Sequence, residues 1–141
     1  MTSALTIQQA SAACGLSVHT LRYYERIGLI RLVPRGSTGR RRYRAEDMSW
    51  IAFLLRLRAT GMSVEEMQRY ARLRDAGEEA ASVAERKRML EVHASRVEAE
   101  VLGLNETLAY LRHKISLYDQ LENRLKGAQH DNEDRSRTNT L

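Results

Sequence analysis

The sequence of 141 residues has one cysteine, one proline and one phenylalanine, and each scarcity removes a class of explanation. A single thiol, Cys14, rules out an intrachain disulfide and any site built from several cysteines. It shares a helical face with Ile7 and Ala10, which suits a small buried thiol better than a redox sensor. No apolar run approaches the roughly 20 residues that a membrane span needs. The N-terminus also lacks the charged-then-apolar pattern of a signal peptide. We therefore expect a soluble, cytoplasmic protein with no membrane partner. His19, His93, His113 and His130 include no two at metal-ligand spacing, and neither a glycine-rich phosphate loop nor a nucleophile elbow is present. No catalytic site, metal or cofactor is expected.

What the chain does have is basic charge, unevenly placed. Residues 1–44 hold eight Arg and one acid, a net of +7, while residues 45–141 hold fifteen Lys or Arg against seventeen acids, a net of −2, together giving the +5 of the whole. The first third is thus the polyanion-binding part. Of the 23 basic residues, 20 are Arg, whose fork matches phosphate and guanine better than the point charge of Lys.

Thr6 with Gln9 reads as a capping box opening a short helix to about Cys14, which Gly15 stops. Ser17 is then an N-cap for a second helix ended by Gly28. Two helices joined by a tight glycine-containing turn are the sequence form of a helix-turn-helix. At 100° per residue Val18, Leu21 and Glu25 share the inner face of the second helix, with Arg22 and Tyr24 on its flanks. His19, Thr20, Tyr23 and Arg26 point outward, where a merely solvated helix would carry Glu and Lys. Hydroxyls, aromatics and Arg suit phosphates and base edges.

Leu29–Tyr43 has β-prone ends around a Pro/Gly/Ser/Thr/Gly centre, which predicts a small hairpin. Arg35, Arg40, Arg41 and Arg42 lie on its tip and return strand. A hairpin so basic beside a helix-turn-helix reads as a wing laid along the backbone of the duplex. A solvated loop is the plainer alternative, but three consecutive Arg repel one another without an anion to meet.

Ala45–Thr60 forms a third helix ended by Gly61, and Ser63 with Glu66 opens a fourth; their apolar and aromatic residues are core at helical spacing. After a break at 77–81, Ser82 with Glu85 opens the longest element, reaching about Leu125, or about 65 Å at 1.5 Å per residue. Leu90, Val97, Leu104, Leu111, Tyr118 and Leu125 repeat every seven residues, and Ala94, Val101, Leu108 and Ile115 repeat between them. One helix of that length outruns a small globule, so the seam should be buried against a second copy. The expected organisation is a DNA-binding domain over 1–76, a linker over 77–81, a dimerisation helix over 82–125 and a disordered polar tail over 126–141.

The string T-L-R-Y-Y-E-R-I-G-L-I, the wing G-R-R-R-Y-R, a helix ending T-G-M and a long heptad helix together resemble the mercury-resistance-regulator (MerR) family of bacterial transcription factors, over about residues 5–122. The resemblance implies a mainly α fold: a winged helix-turn-helix domain and a long C-terminal helix that joins a homodimer as an antiparallel coiled coil. It implies that each subunit places its second helix in a major groove of double-stranded promoter DNA, and that the dimer bends and untwists an over-long spacer so that RNA polymerase can engage both promoter elements. Matching positions put His19, Thr20, Arg22 and Tyr23 at bases or nearby phosphates, and Tyr24, Arg35, Arg41 and Tyr43 at the backbone. The dimer seam would use Leu90, Val97, Val101, Leu104, Leu108, Leu111, Ile115 and Tyr118. The wing departs from the common Asn-Gly-Tyr-Arg, having Thr38-Gly39-Arg40-Arg41.

Metal-sensing members carry cysteines near the end of the long helix, and this chain has none there. W-I-A-F-L-L-R-L-R-A-T-G-M, E-R-K-R-M-L-E-V-H and L-R-H-K-I-S-L-Y are similar to the branch of aldehyde- and thiol-stress regulators. Some of those have a reactive Cys where Arg56 stands, so a thiol switch at that position is excluded. No large ligand domain follows the coil, which argues against a drug-binding member; a small-molecule effector has room in this scheme but no assigned site. The competing function is an architectural DNA-bending protein of excisionase type, against which the long dimer helix argues. A catalytic or coiled-coil scaffold protein would leave the Arg-rich wing without a purpose.

Overall fold

The computed structural model describes residues 4–31 and 42–138. Five helices follow in order: α1 (Ile7–Cys14), α2 (Val18–Arg26), α3 (Ala45–Ala59), α4 (Val64–Asp75) and α5 (Ala80–Thr138). The chain divides into two units, Met1–Ser95 and Arg96–Leu141.

The first unit is built on local signals that the sequence states openly. Thr6 caps α1 reciprocally, its backbone N–H reaching Gln9 Oε1 at 2.9 Å and its Oγ1 accepting from Gln9 N–H at 3.2 Å. Ser17 and Ser63 cap α2 and α4 through Thr20 N–H and Glu66 N–H. Helices α2 and α3 both close on a left-handed glycine. At Gly28 (φ +84°) the Leu29 N–H returns to Tyr24 O at 2.9 Å and the Gly28 N–H to Glu25 O at 3.2 Å. At Gly61 (φ +94°) the same pair of bonds runs from Met62 to Leu57 and from Gly61 to Arg58. Both are Schellman closures, and in each the residue after the glycine, Leu29 or Met62, is buried.

The core gathers Ile7 and Ala10 of α1, Leu21 and Tyr24 of α2, Ile51, Leu54 and Leu57 of α3, and Met67, Tyr70 and Ala71 of α4 around Leu29, Ile30 and Tyr43. Trp50 stacks on Tyr70 with centroids 5.8 Å apart, carries the Arg74 guanidinium 4.2 Å from its ring centroid, and donates its indole N–H to Leu29 O at 2.7 Å. That last bond ties α3 to the segment leaving α2.

Three sequence expectations change here. The hairpin falls mostly on 32–41, outside the described residues, together with Arg35, Arg40 and Arg41. Among the described residues Tyr43 pairs with Leu5, through two antiparallel backbone bonds of 2.7 Å each. Ser82 is not an N-cap, because α5 begins at Ala80; its hydroxyl is buried and donates to Leu73 O, tying α5 to the end of α4. The stretch expected as a disordered tail from 126 is helical to Thr138. It lacks proline, and its hydroxyls bond back into the preceding turn, Ser136 to Glu133 O and Thr138 to Asp134 O.

In the second unit α5 supplies all the described structure. Its seam residues Val101, Leu104, Leu108, Leu111, Ile115 and Tyr118 are exposed in the single chain. Leu90, the first of the seam, lies in the first unit and packs partly against the core.

Candidate nucleic-acid interface

Helix α2 buries Leu21, Tyr24 and Glu25 and turns His19, Arg22, Tyr23 and Arg26 to solvent. No acid lies in its first turn, so the positive end of its dipole is left to favour an approaching phosphate. Ser17 Oγ accepts from Thr20 N–H at 3.0 Å and donates to Thr20 Oγ1 at 2.9 Å. The Thr20 hydroxyl therefore has a fixed position and keeps its own hydrogen to donate. The Arg26 guanidinium lies over the Tyr23 ring, 5.4 Å from its centroid, which places a positive charge beside the exposed aromatic.

Two residues expected at the DNA backbone are placed differently. Tyr24 is buried, its hydroxyl accepts from Arg58 Nη1, and the Arg58 guanidinium lies 5.9 Å from its ring centroid. Tyr43 is fully buried and donates its hydroxyl to Glu25 Oε1 at 2.7 Å. Both rings shape the support of the interface from inside. The neighbouring Arg42 is half-buried. Thus α2 keeps His19, Thr20, Arg22 and Tyr23 together on one outward face, while Arg35, Arg40 and Arg41 lie outside the described residues.

The sequence reading missed the groups that aim this face. Gln68 Nε2 donates to Ile27 O at 2.9 Å, and Trp50, Arg58 and Tyr43 hold Leu29, Tyr24 and Glu25. The end of α2 is thus gripped from α3, from α4 and from the chain that follows the wing segment. Glu25 was the available signal, since an acid on the Val18/Leu21 face needs a buried partner. Arg44 bonds Asp47 from its backbone N–H (2.9 Å) and its Nε (3.2 Å), which fixes the start of α3. The Asp47 hydrogen bond and charge raise the Arg44 guanidinium above its ordinary pKa.

With this geometry in place, comparison with known proteins gives a consistent result. The chain matches the family MerR HTH family regulatory protein over residues 5–73 and the family MerR, DNA binding over residues 48–128. An uncharacterized HTH-type transcriptional regulator of Haemophilus influenzae is 30% identical over 115 residues, covering 82% of this chain and 84% of that protein. The Bacillus subtilis HTH-type transcriptional regulator AdhR is 41% identical over 86 residues, 61% of this chain and 60% of AdhR. Among solved structures, HiNmlR, a MerR family regulator lacking the sensor domain and bound to promoter DNA, superposes with a TM-score of 0.75 at 30% identity, covering 83% of this chain and 91% of that one. A MerR family transcriptional regulator from Listeria monocytogenes superposes with a TM-score of 0.78 at 35% identity, covering 92% and 95%.

Proposed function

The chain belongs to the MerR family of helix-turn-helix regulators, and from that premise we propose that it acts as a homodimeric promoter-binding protein that distorts the DNA between promoter elements. The observation that carries the reading is the outward face of α2, where His19, Thr20, Arg22 and Tyr23 stand on a helix held by hydrogen bonds to Tyr24 and Glu25 and, just past its end, to the Ile27 and Leu29 carbonyls. Arg22 and Thr20 reach base edges in the major groove, where a bidentate Arg–guanine pair discriminates by about 1–3 kcal/mol. Arg35, Arg40, Arg41 and Arg42 meet phosphates and supply affinity that falls with salt.

Dimerisation follows from the exposed seam of α5. An antiparallel pair of such helices carries a two-fold axis, so the two recognition helices read an inverted repeat. Bending and untwisting the intervening duplex costs on the order of 1–6 kcal/mol, which the phosphate contacts of two subunits offset. The target is a promoter with an over-long spacer, and the partner that profits is RNA polymerase. The protein acts through binding and DNA distortion, with no chemistry of its own.

The test is transcription in vitro from a bound promoter and from the same promoter with its spacer shortened to ordinary length. The protein should activate the first and should not activate the second. Equal activation of both would rule out spacer distortion.

A further inference from the structure

The last turn of α3 is bonded on one side to α2 and on the other to α5. On the first side Arg58 donates to the Tyr24 hydroxyl. Tyr24 is the residue on which α2 closes, since its carbonyl accepts the Leu29 and Ile30 N–H groups at 2.9 and 3.1 Å. On the other side Thr60 Oγ1 lies 2.6 Å from His93 Nε2 of α5.

A threonine hydroxyl has one hydrogen, and Thr60 directs it to Arg56 O at 2.7 Å. With that hydrogen turned to its own helix, Thr60 Oγ1 is free to accept from His93 Nε2. The ring is 6% exposed, and Nδ1 has no hydrogen-bond partner among the described residues. An apolar side chain would fill the space without an unpaired nitrogen. What the imidazole adds is direction: a polar tie from the fourth turn of the long helix to the end of α3. The Schellman closure at Gly61 stiffens that end, so Thr60 and Arg58 keep a fixed relation.

We infer that His93, Thr60 and Arg58 are positioning residues through which α5 holds the closing turn of α2, and with it the orientation of the DNA-reading face. The inference rests on the reading of α2 as the recognition helix, but the coupling itself is a property of the free protein. Displacement of α5 at His93 loosens Thr60 and Arg58 and releases Tyr24; occupation of the α2 face by DNA acts back on His93 by reciprocity.

Amide hydrogen exchange of the full chain without DNA tests this. Thr60→Val removes the hydroxyl at constant volume and should speed exchange of the Leu29 and Ile30 amides on the order of tenfold, leaving Ala10 and Ala71 unchanged. His93→Gln, which keeps a donor near the Nε2 position, should retain wild-type protection at Leu29 and Ile30. Arg58→Met severs the second link, and in that background Thr60→Val should have no further effect on them. Unchanged exchange at Leu29 and Ile30 in Thr60→Val would overturn the inference. So would uniform acceleration that includes Ala10 and Ala71, or full additivity with Arg58→Met. Sequence-selective DNA retention by the wild-type chain is scored separately, so failure of the DNA reading and failure of this route give different results.

Discussion

Placing Asp at both Leu104 and Leu108 should dissociate the dimer while leaving the first unit folded. Leu104 is 69% exposed and Leu108 44% exposed in the single chain, and both lie on the heptad seam of α5. Fully burying a leucine side chain is worth about 1.5–3 kcal/mol, so burying those fractions contributes about 1–2 kcal/mol at Leu104 and about 1 kcal/mol at Leu108. Two chains double this to about 4–6 kcal/mol, a loss of on the order of 10³–10⁴ in the dimer constant. Four carboxylates forced into an apolar seam without partners add a desolvation cost in the same direction. Sedimentation equilibrium should show a monomer at concentrations where the wild type is a dimer, and near-ultraviolet circular dichroism should retain the signal of Trp50 packed on Tyr70. A dimer that survives the double substitution would place the subunit contact elsewhere and refute the seam.

Three further outcomes are expected, the first from the sequence and the other two from the core. Arg41→Ala should weaken binding to every DNA sequence and lower the salt slope by about one, whereas Thr20→Ala or His19→Ala should shift sequence preference with the slope kept; an unchanged slope for Arg41→Ala, measured by fluorescence anisotropy over a salt series, would count against the wing. Leu21 is fully buried between α2 and the core, so Leu21→Ala should cost about 2–5 kcal/mol in urea unfolding; a loss below about 1 kcal/mol would mean that the site collapses around the smaller side chain. Tyr43→Phe removes the hydroxyl that donates to Glu25 and should destabilise by about 1–3 kcal/mol, because a buried carboxylate loses a donor; an unaltered midpoint would show that Glu25 does not depend on that bond.

Most of the fold is legible locally because its punctuation is local. The caps Thr6, Ser17 and Ser63 and the glycines 15, 28 and 61 act within one turn of themselves, and the structure uses each as its chemistry suggests. Tyr24 and Tyr43 were harder for the opposite reason. Tyr24 falls on the flank of α2 at 100° per residue, and what brings it inside is Arg58, 34 positions away. The family resemblance sets Tyr43 at the DNA backbone, yet its hydroxyl donates to Glu25, 18 positions earlier. Ser82 shows the same limit, since a serine three residues before a glutamate imitates a cap when its real partner is the Leu73 carbonyl. The outward set on α2 needed no distant information, because each member is placed by helical rotation from Val18 and Leu21. The helical end of α5 was obscured by a lack of apolar period, a poor guide where the helix has no core face to show.

The measurement closest to the central claim is a map of the genomic fragments that the purified protein retains from its own source at physiological salt. A few discrete inverted repeats lying between promoter elements, lost together with the dimer in the Leu104→Asp/Leu108→Asp variant, are the predicted result. Retention scattered over many fragments without a shared repeat would contradict the account and favour an architectural DNA-bending protein.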